Sequence, residues 1–143
     1  MTDSAKPLAA NMAANTHADC IFCRIVRGEI PARKVYEDDE LLAFHDISPV
    51  APMHLLVIPK QHLSTLYDAS EEHHHALGSM LMLAGRIARE QGADEGFRSI
   101  INTGRVGGQE VYHLHLHLIA GPQHLGPMIV PTQQAPKHNA PHQ

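Results

Sequence analysis

The sequence predicts a single α+β domain, a small sheet with one long helix on one face, and three observations carry that reading. Several short apolar runs read as strands. The stretch from Ser70 to Gly92 repeats its apolar residues at helical spacing. The run His113-Leu114-His115-Leu116-His117-Leu118-Ile119 alternates imidazoles with leucines at strand spacing. The order strands, helix, strands is that of an α+β architecture. At 143 residues the chain can bury a core as one domain without covalent staples.

The elements follow in order. Residues 1–18 hold six alanines and no sustained apolar periodicity, so a mobile N-terminal arm is expected there. Cys20 to Arg27 reads as a short helix or turn with Ile21, Phe22, Ile25 and Val26 on its apolar side, ended by Gly28 and Pro31. Val35-Tyr36 and Leu41 to Phe44 read as two strands around the acidic turn Glu37 to Glu40. His54 to Ile58 is a continuous apolar run closed by Pro59, suited to a central strand. Ser70 is a candidate N-cap for the long helix, with Glu71 and Glu72 in its first turn. Leu77, Met80, Leu81, Ala84, Ile87 and Ala88 form its apolar stripe. Phe97 to Asn102 is a further strand, and the histidine strand comes last. Residues 130–143 carry proline and little apolar surface and read as a second disordered tail, leaving 19–129 as the domain. Exposed edges in so small a sheet predict pairing with a second copy.

Composition removes several function classes. A net charge of −4 and a pI near 6.3 argue against nucleic acid as the main partner, because phosphate-backbone binding needs clustered Lys and Arg. No run approaches the ~18 apolar residues of a membrane span, and the N-terminus lacks a signal-peptide layout, so a cytoplasmic protein is expected. Two cysteines, Cys20 and Cys23, cannot form a disulfide framework.

Of thirteen histidines, three are informative. Alternation puts His113, His115 and His117 on one face of a strand, about 6.5–7 Å apart, and Leu114, Leu116 and Leu118 on the other. His73, His74 and His75 are consecutive, point roughly 100° apart on a helix, and read as a solvated first turn. The loop Asn102 to Glu110 that precedes the triad is glycine-rich, so its backbone N–H groups can turn toward an anion. A phosphate cradled there would face an imidazole, and neutral imidazole is a competent nucleophile near pH 7. Alternate histidines also chelate metals, so a metal site stays open on the local pattern.

Two further constellations matter. Cys20-x-x-Cys23 is half of a zinc site, with His62 and His113 as candidate partners; it can equally be a pair of small buried side chains. In Phe44-His45-Asp46-Ile47-Ser48-Pro49, an acidic residue past a strand suits a nucleoside pocket. There the Asp would accept from ribose hydroxyls while Phe and Ile sandwich the base. The alternative is an Asx turn before Ser48-Pro49.

Three segments taken together, DCIFCRIVRGEIPA, LAFHDISPVAPMHLLVIPKQH and INTGRVGGQEVYHLHLHLIAG, resemble the histidine triad (HIT) superfamily. The closest likeness is to its Hint branch of nucleoside phosphoramidases. The likeness runs from Cys20 to Met128, about three quarters of the chain, and the last segment fits the signature His-φ-His-φ-His-φ-φ, φ being apolar, throughout. The resemblance implies a HIT-like fold, an antiparallel sheet of about five strands joined across a homodimer. It implies purine phosphoramidate hydrolysis through a covalent nucleotidyl-histidine, with His115 as nucleophile, His117 on the phosphate and His54 supporting His115. Asn102 and backbone N–H groups around Gly108, Gln109 and Glu110 would also hold phosphate. Ile21, Phe22, Ile25, Phe44, His45 and Ile47 would bind the nucleotide, as the purine slot and its margin, with Asp46 on the ribose. It further implies a structural zinc on Cys20, Cys23, His62 and His113, and no catalytic metal. Glu110 stands where eukaryotic members carry Ser and looks like the bacterial form, and the tail lacks the aromatic of animal members. The same triad serves diadenosine polyphosphate hydrolases. A metallohydrolase or a nucleotide-binding interaction module are the other classes.

Overall fold

The computed structural model describes residues 17–130, so the expected arm and tail lie almost wholly outside the described residues. Five strands form one antiparallel sheet in the order β1-β2-β3-β5-β4. They are β1 (Lys34–Glu37), β2 (Leu41–His45), β3 (Met53–Pro59), β4 (Arg98–Ile100) and β5 (Leu116–Ala120). A six-residue helix α1 (Ile21–Val26) precedes the sheet. The long helix α2 (His74–Glu90) joins β3 to β4, and the single turn α3 (Gly104–Gly107) sits between β4 and β5.

The pleat divides the sheet into two chemically different faces. Leu41, Ala43, Met53, Leu55, Val57, Leu116, Leu118 and Ala120 point one way and pack with Ala76, Met80, Leu83, Ala84, Ile87 and Ala88 of α2 in the main core. Leu42, Phe44, Leu56 and Ile58 point the other way and pack with Phe22 and Ile25 of α1. β3 is buried along its whole length because both faces are covered, which is why it reads as an unbroken apolar run.

Three expectations are corrected. The histidine run pairs as strand only from Leu116, so His113 and His115 precede the ladder, although Leu114 still points into the main core. His73 is not solvated. It is 9% exposed, and its Nδ1 accepts the Ser70 N–H at 3.0 Å, capping the 3₁₀ turn Glu71–His73 that leads into α2. His74 and His75 do face water. His45 falls on the α2 face by the alternation of β2, pairing with Leu55, and so does not share the face of Phe44.

Candidate active site

His54 on β3 and His117 on β5 belong to the face that carries α1, and the bend before β5 adds His115 beside them. The His115 and His117 rings lie 4.9 Å apart, and the Phe22 ring meets His115 edge-on at 5.2 Å. Each imidazole has one nitrogen committed to a fixed partner, and those partners assign the tautomers.

His115 Nδ1–H donates to the His113 carbonyl oxygen at 2.8 Å, which leaves Nε2 with a free lone pair. Burial pushes its pKa below the ordinary imidazole value, against the opposing pull of that carbonyl. His54 Nδ1 accepts the Val50 N–H at 3.1 Å, so its proton sits on Nε2 and is donated to His117 Nδ1 at 2.9 Å. His117 therefore carries its own proton on Nε2. Burial, then the neighbouring His115 and His54, drives the His117 pKa down to about 4 and keeps it neutral. A lone pair on His115 thus lies beside an N–H on His117, the arrangement of a nucleophile next to a donor. His54 reaches His117 rather than His115, so its expected support of His115 has no direct contact behind it.

Asp46 adopts the Asx turn that the sequence offered as the alternative to a ribose contact. Its Oδ1 accepts the Ser48 N–H at 2.7 Å in an Asx turn, and its Oδ2 lies 3.4 Å from His54 Nε2. Asp46, His54 and His117 are close enough to surround an ion. The tautomer opposes it: His54 Nε2 carries a proton, and moving that proton to Nδ1 sets it against the Val50 N–H. Asp46 Oδ2 and His117 Nδ1 both face the one His54 Nε2–H, and the shorter contact is to His117.

His113 does a different job from its two neighbours. It is wholly buried, its Nε2–H donates to the Pro59 carbonyl at 2.7 Å, and its Nδ1 faces Cys20 Sγ at 3.4 Å and Cys23 Sγ at 3.5 Å. His62 Nδ1 lies 3.3 Å from Cys23 Sγ, and its Nε2 is 3.0 Å from Ser64 Oγ. Burial lowers the His113 pKa to about 4 and raises that of Cys23 to about 11. Cys20, Cys23, His62 and His113 form a group that can hold a metal ion, with all four donor atoms within 4.8 Å of one another. Both imidazoles turn a lone pair inward and donate outward, as metal-bound histidines do.

The glycine loop is more occupied than its sequence implies. Gly104 and Gly108 take φ of +72° and +83°, which lets the chain enter and leave the turn α3. The N–H groups of Gly108 and Gln109 close that turn on the carbonyls of Arg105 and Gly104, so they hold its shape rather than face a ligand. Among the described residues the Glu110 N–H has no protein partner, nor has the side-chain amide of Asn102. The Gln109 side chain is buried and fully engaged inside the protein.

Of the side chains expected to line a purine slot, Phe22, Ile25 and Phe44 are buried at 7%, 7% and 4%, whereas Ile21 and Ile47 are exposed at 46% and 98%. The sequence reading missed the Pro59 and His113 carbonyls, the Val50 N–H and Ser64. Three of these are backbone groups with no residue signature; Ser64 is marked only by following His62 at the second position.

Fold and histidine row together define the class: the HIT domain family profile matches residues 27–124, and the chain belongs to that family. More particularly, it is 52% identical over 112 residues to the purine nucleoside phosphoramidase of Escherichia coli K12, covering 78% of this chain and 93% of that one. It is 51% identical over 104 residues to protein HitA of Neisseria gonorrhoeae, covering 73% and 97%. A crystal structure of a histidine triad protein from Clostridium difficile superposes with a TM-score of 0.73 at 48% identity, covering 78% and 97%. The match of the family profile begins beyond Cys20 and Cys23. No described helix is long and apolar enough to cross a membrane.

Proposed function

We propose that the protein is a purine nucleoside phosphoramidase working through a nucleotidyl-His115 intermediate. The observation that carries this reading is the opposed protonation of neighbouring rings, a free Nε2 on His115 beside a protonated Nε2 on His117. The His115 lone pair attacks the α-phosphorus and the P–N bond breaks, the amine leaving as it takes up a proton from solvent, to which the attacking water of the second step returns one. Water then attacks the same phosphorus and breaks the Nε2–P bond, releasing nucleoside monophosphate and restoring His115. His117 Nε2–H, the Asn102 amide and the Glu110 N–H hold the phosphate oxygens. Asp46 keeps acceptor capacity for the ribose, and Ile21 and Ile47 flank the base over the Phe22–Phe44 floor. The similarity to the phosphoramidase of E. coli supports the same substrate class.

The Cys/His group fits a structural zinc. Tetrahedral zinc with Zn–S near 2.3 Å and Zn–N near 2.05 Å puts S and N ligand atoms about 3.5 Å apart. Three of the four S–N cross-pairs, at 3.3–3.5 Å, agree. Bound there, zinc would tie α1 to the segment before β5. The outer edge of β4, unpaired among the described residues, supports a homodimer joined through that edge, and the free thiols suit a cytoplasmic setting.

The test compares hydrolysis of adenosine 5′-phosphoramidate with that of a diadenosine polyphosphate. Faster phosphoramidate turnover, lost in His115→Ala, is expected. Faster diadenosine polyphosphate turnover overturns the substrate class, and undiminished activity of His115→Ala overturns the mechanism.

A further inference from the structure

Gln109 makes three side-chain hydrogen bonds while only 7% exposed, two within its own loop and one to a distant segment. Its Oε1 accepts the Gly104 N–H at 2.9 Å at the start of the turn α3. Its Nε2 donates to the Val111 carbonyl at 3.0 Å just past the loop, and to the Ser64 carbonyl at 2.8 Å. The first two bonds clamp the mouth of the phosphate loop. The third leaves the loop altogether.

Ser64 ends a run of three residues in which every member is committed. His62 turns Nδ1 toward Cys23 Sγ and sets its other nitrogen 3.0 Å from Ser64 Oγ. The Leu63 carbonyl accepts the Leu114 N–H, tying this run to the residue after His113. The Ser64 carbonyl accepts from Gln109. His62 is thus linked through Ser64 to the peptide that anchors Gln109. Gln109 in turn holds the loop whose next residue, Glu110, presents the unpartnered N–H.

We propose that Gln109 is a positioning residue that couples the Cys20/Cys23/His62/His113 metal site to the nucleotide phosphate site. Metal occupancy sets the loop, and a bound phosphate holds the metal ligands in return. Such coupling is reciprocal by thermodynamic necessity. The inference rests on the nucleotide reading of the site given above, and its test separates the two.

Release of zinc from the zinc-loaded full chain into a chromogenic chelator is followed with and without AMP, while AMP binding is measured by calorimetry on zinc-loaded and metal-stripped protein. AMP is expected to slow zinc release, and zinc to tighten AMP binding, each by at least about fivefold, the lower end of ordinary allosteric coupling. Gln109→Glu keeps the acceptor for Gly104 but turns a second oxygen on the Ser64 and Val111 carbonyls. Gln109→Met keeps the length and removes all three bonds. Each variant is expected to retain one zinc per chain and to lose the linkage, both ratios returning to about one. Where a variant fails to fold, the reciprocal measurements on the wild-type chain decide. AMP binding to the wild type without any linkage, or linkage that persists in a folded Gln109 variant, overturns the coupling and leaves the nucleotide reading standing. Failure of the wild type to bind AMP overturns both.

Discussion

His115 Nδ1–H points at the carbonyl oxygen of His113, 2.8 Å away, and this single bond decides which nitrogen of His115 can react. The residue that turns its ring toward the thiols thus supplies, through its backbone, the acceptor that sets the His115 tautomer. Replacing His115 removes the lone pair while leaving that frame in place. His115→Ala is expected to fold normally and to lose kcat by at least about 10⁴-fold. In the wild type, quenching during turnover without acid is expected to show one nucleotidyl mass on His115 by peptide mass spectrometry.

His54 acts through His117, so its loss is expected to cost less than loss of His117 itself. His117→Ala removes a donor to the phosphate and is expected to lower kcat by about 10²–10⁴-fold. His54→Ala frees the His117 ring to rotate or change tautomer, an outer-sphere effect of roughly 10–100-fold. The double variant is expected to fall well short of the product of the two, measured as a kinetic double-mutant cycle.

The pH profile follows from burial. His115 and His117 both have pKa values lowered from the ordinary imidazole value, His117 to about 4. The neutral, active forms are therefore present above pH 6.5, and activity is lost only as the pH falls through the lowered values. The acid limb of kcat/KM is expected below pH 6.5. The Asp46 carboxylate partly opposes the lowering at both rings, and an Asn side chain can still accept the Ser48 N–H. Asp46→Asn is expected to move the acid limb to lower pH still; a shift upward rejects the electrostatic account.

The purified protein is expected to contain one zinc per chain by elemental analysis. Cys20→Ser with Cys23→Ser is expected to abolish it and lower Tm. A ligand that binds only the folded chain contributes about 4 kcal/mol at a thousandfold excess over its Kd. An unchanged Tm with the metal gone shows that the group is held together by its own packing.

Much of the fold was legible in the chain. The long helix, the central strand at 53–59 and the strands flanking the acidic turn all follow from apolar spacing, because burial of one face leaves a period in the sequence. The alternation after His113 placed Leu114, Leu116 and Leu118 in the main core as expected. It also made the three histidines look alike, and it placed the start of the strand three residues early. His73 looked solvated because nothing local reveals that a ring is folded back as a cap.

Residue types and spacing by themselves determined the family, the sheet with its long helix on one face and the list of chemically able side chains. The resemblance had already given the histidines different roles; only tertiary structure shows which partner orders each ring. The His113 carbonyl leaves His115 a free Nε2, the Val50 N–H makes His54 a donor to His117, and the Pro59 carbonyl turns His113 toward the cysteines. A tautomer is set by whichever backbone group lies across from the ring. Those groups are the same in every residue, so a sequence carries no mark of where they will fall.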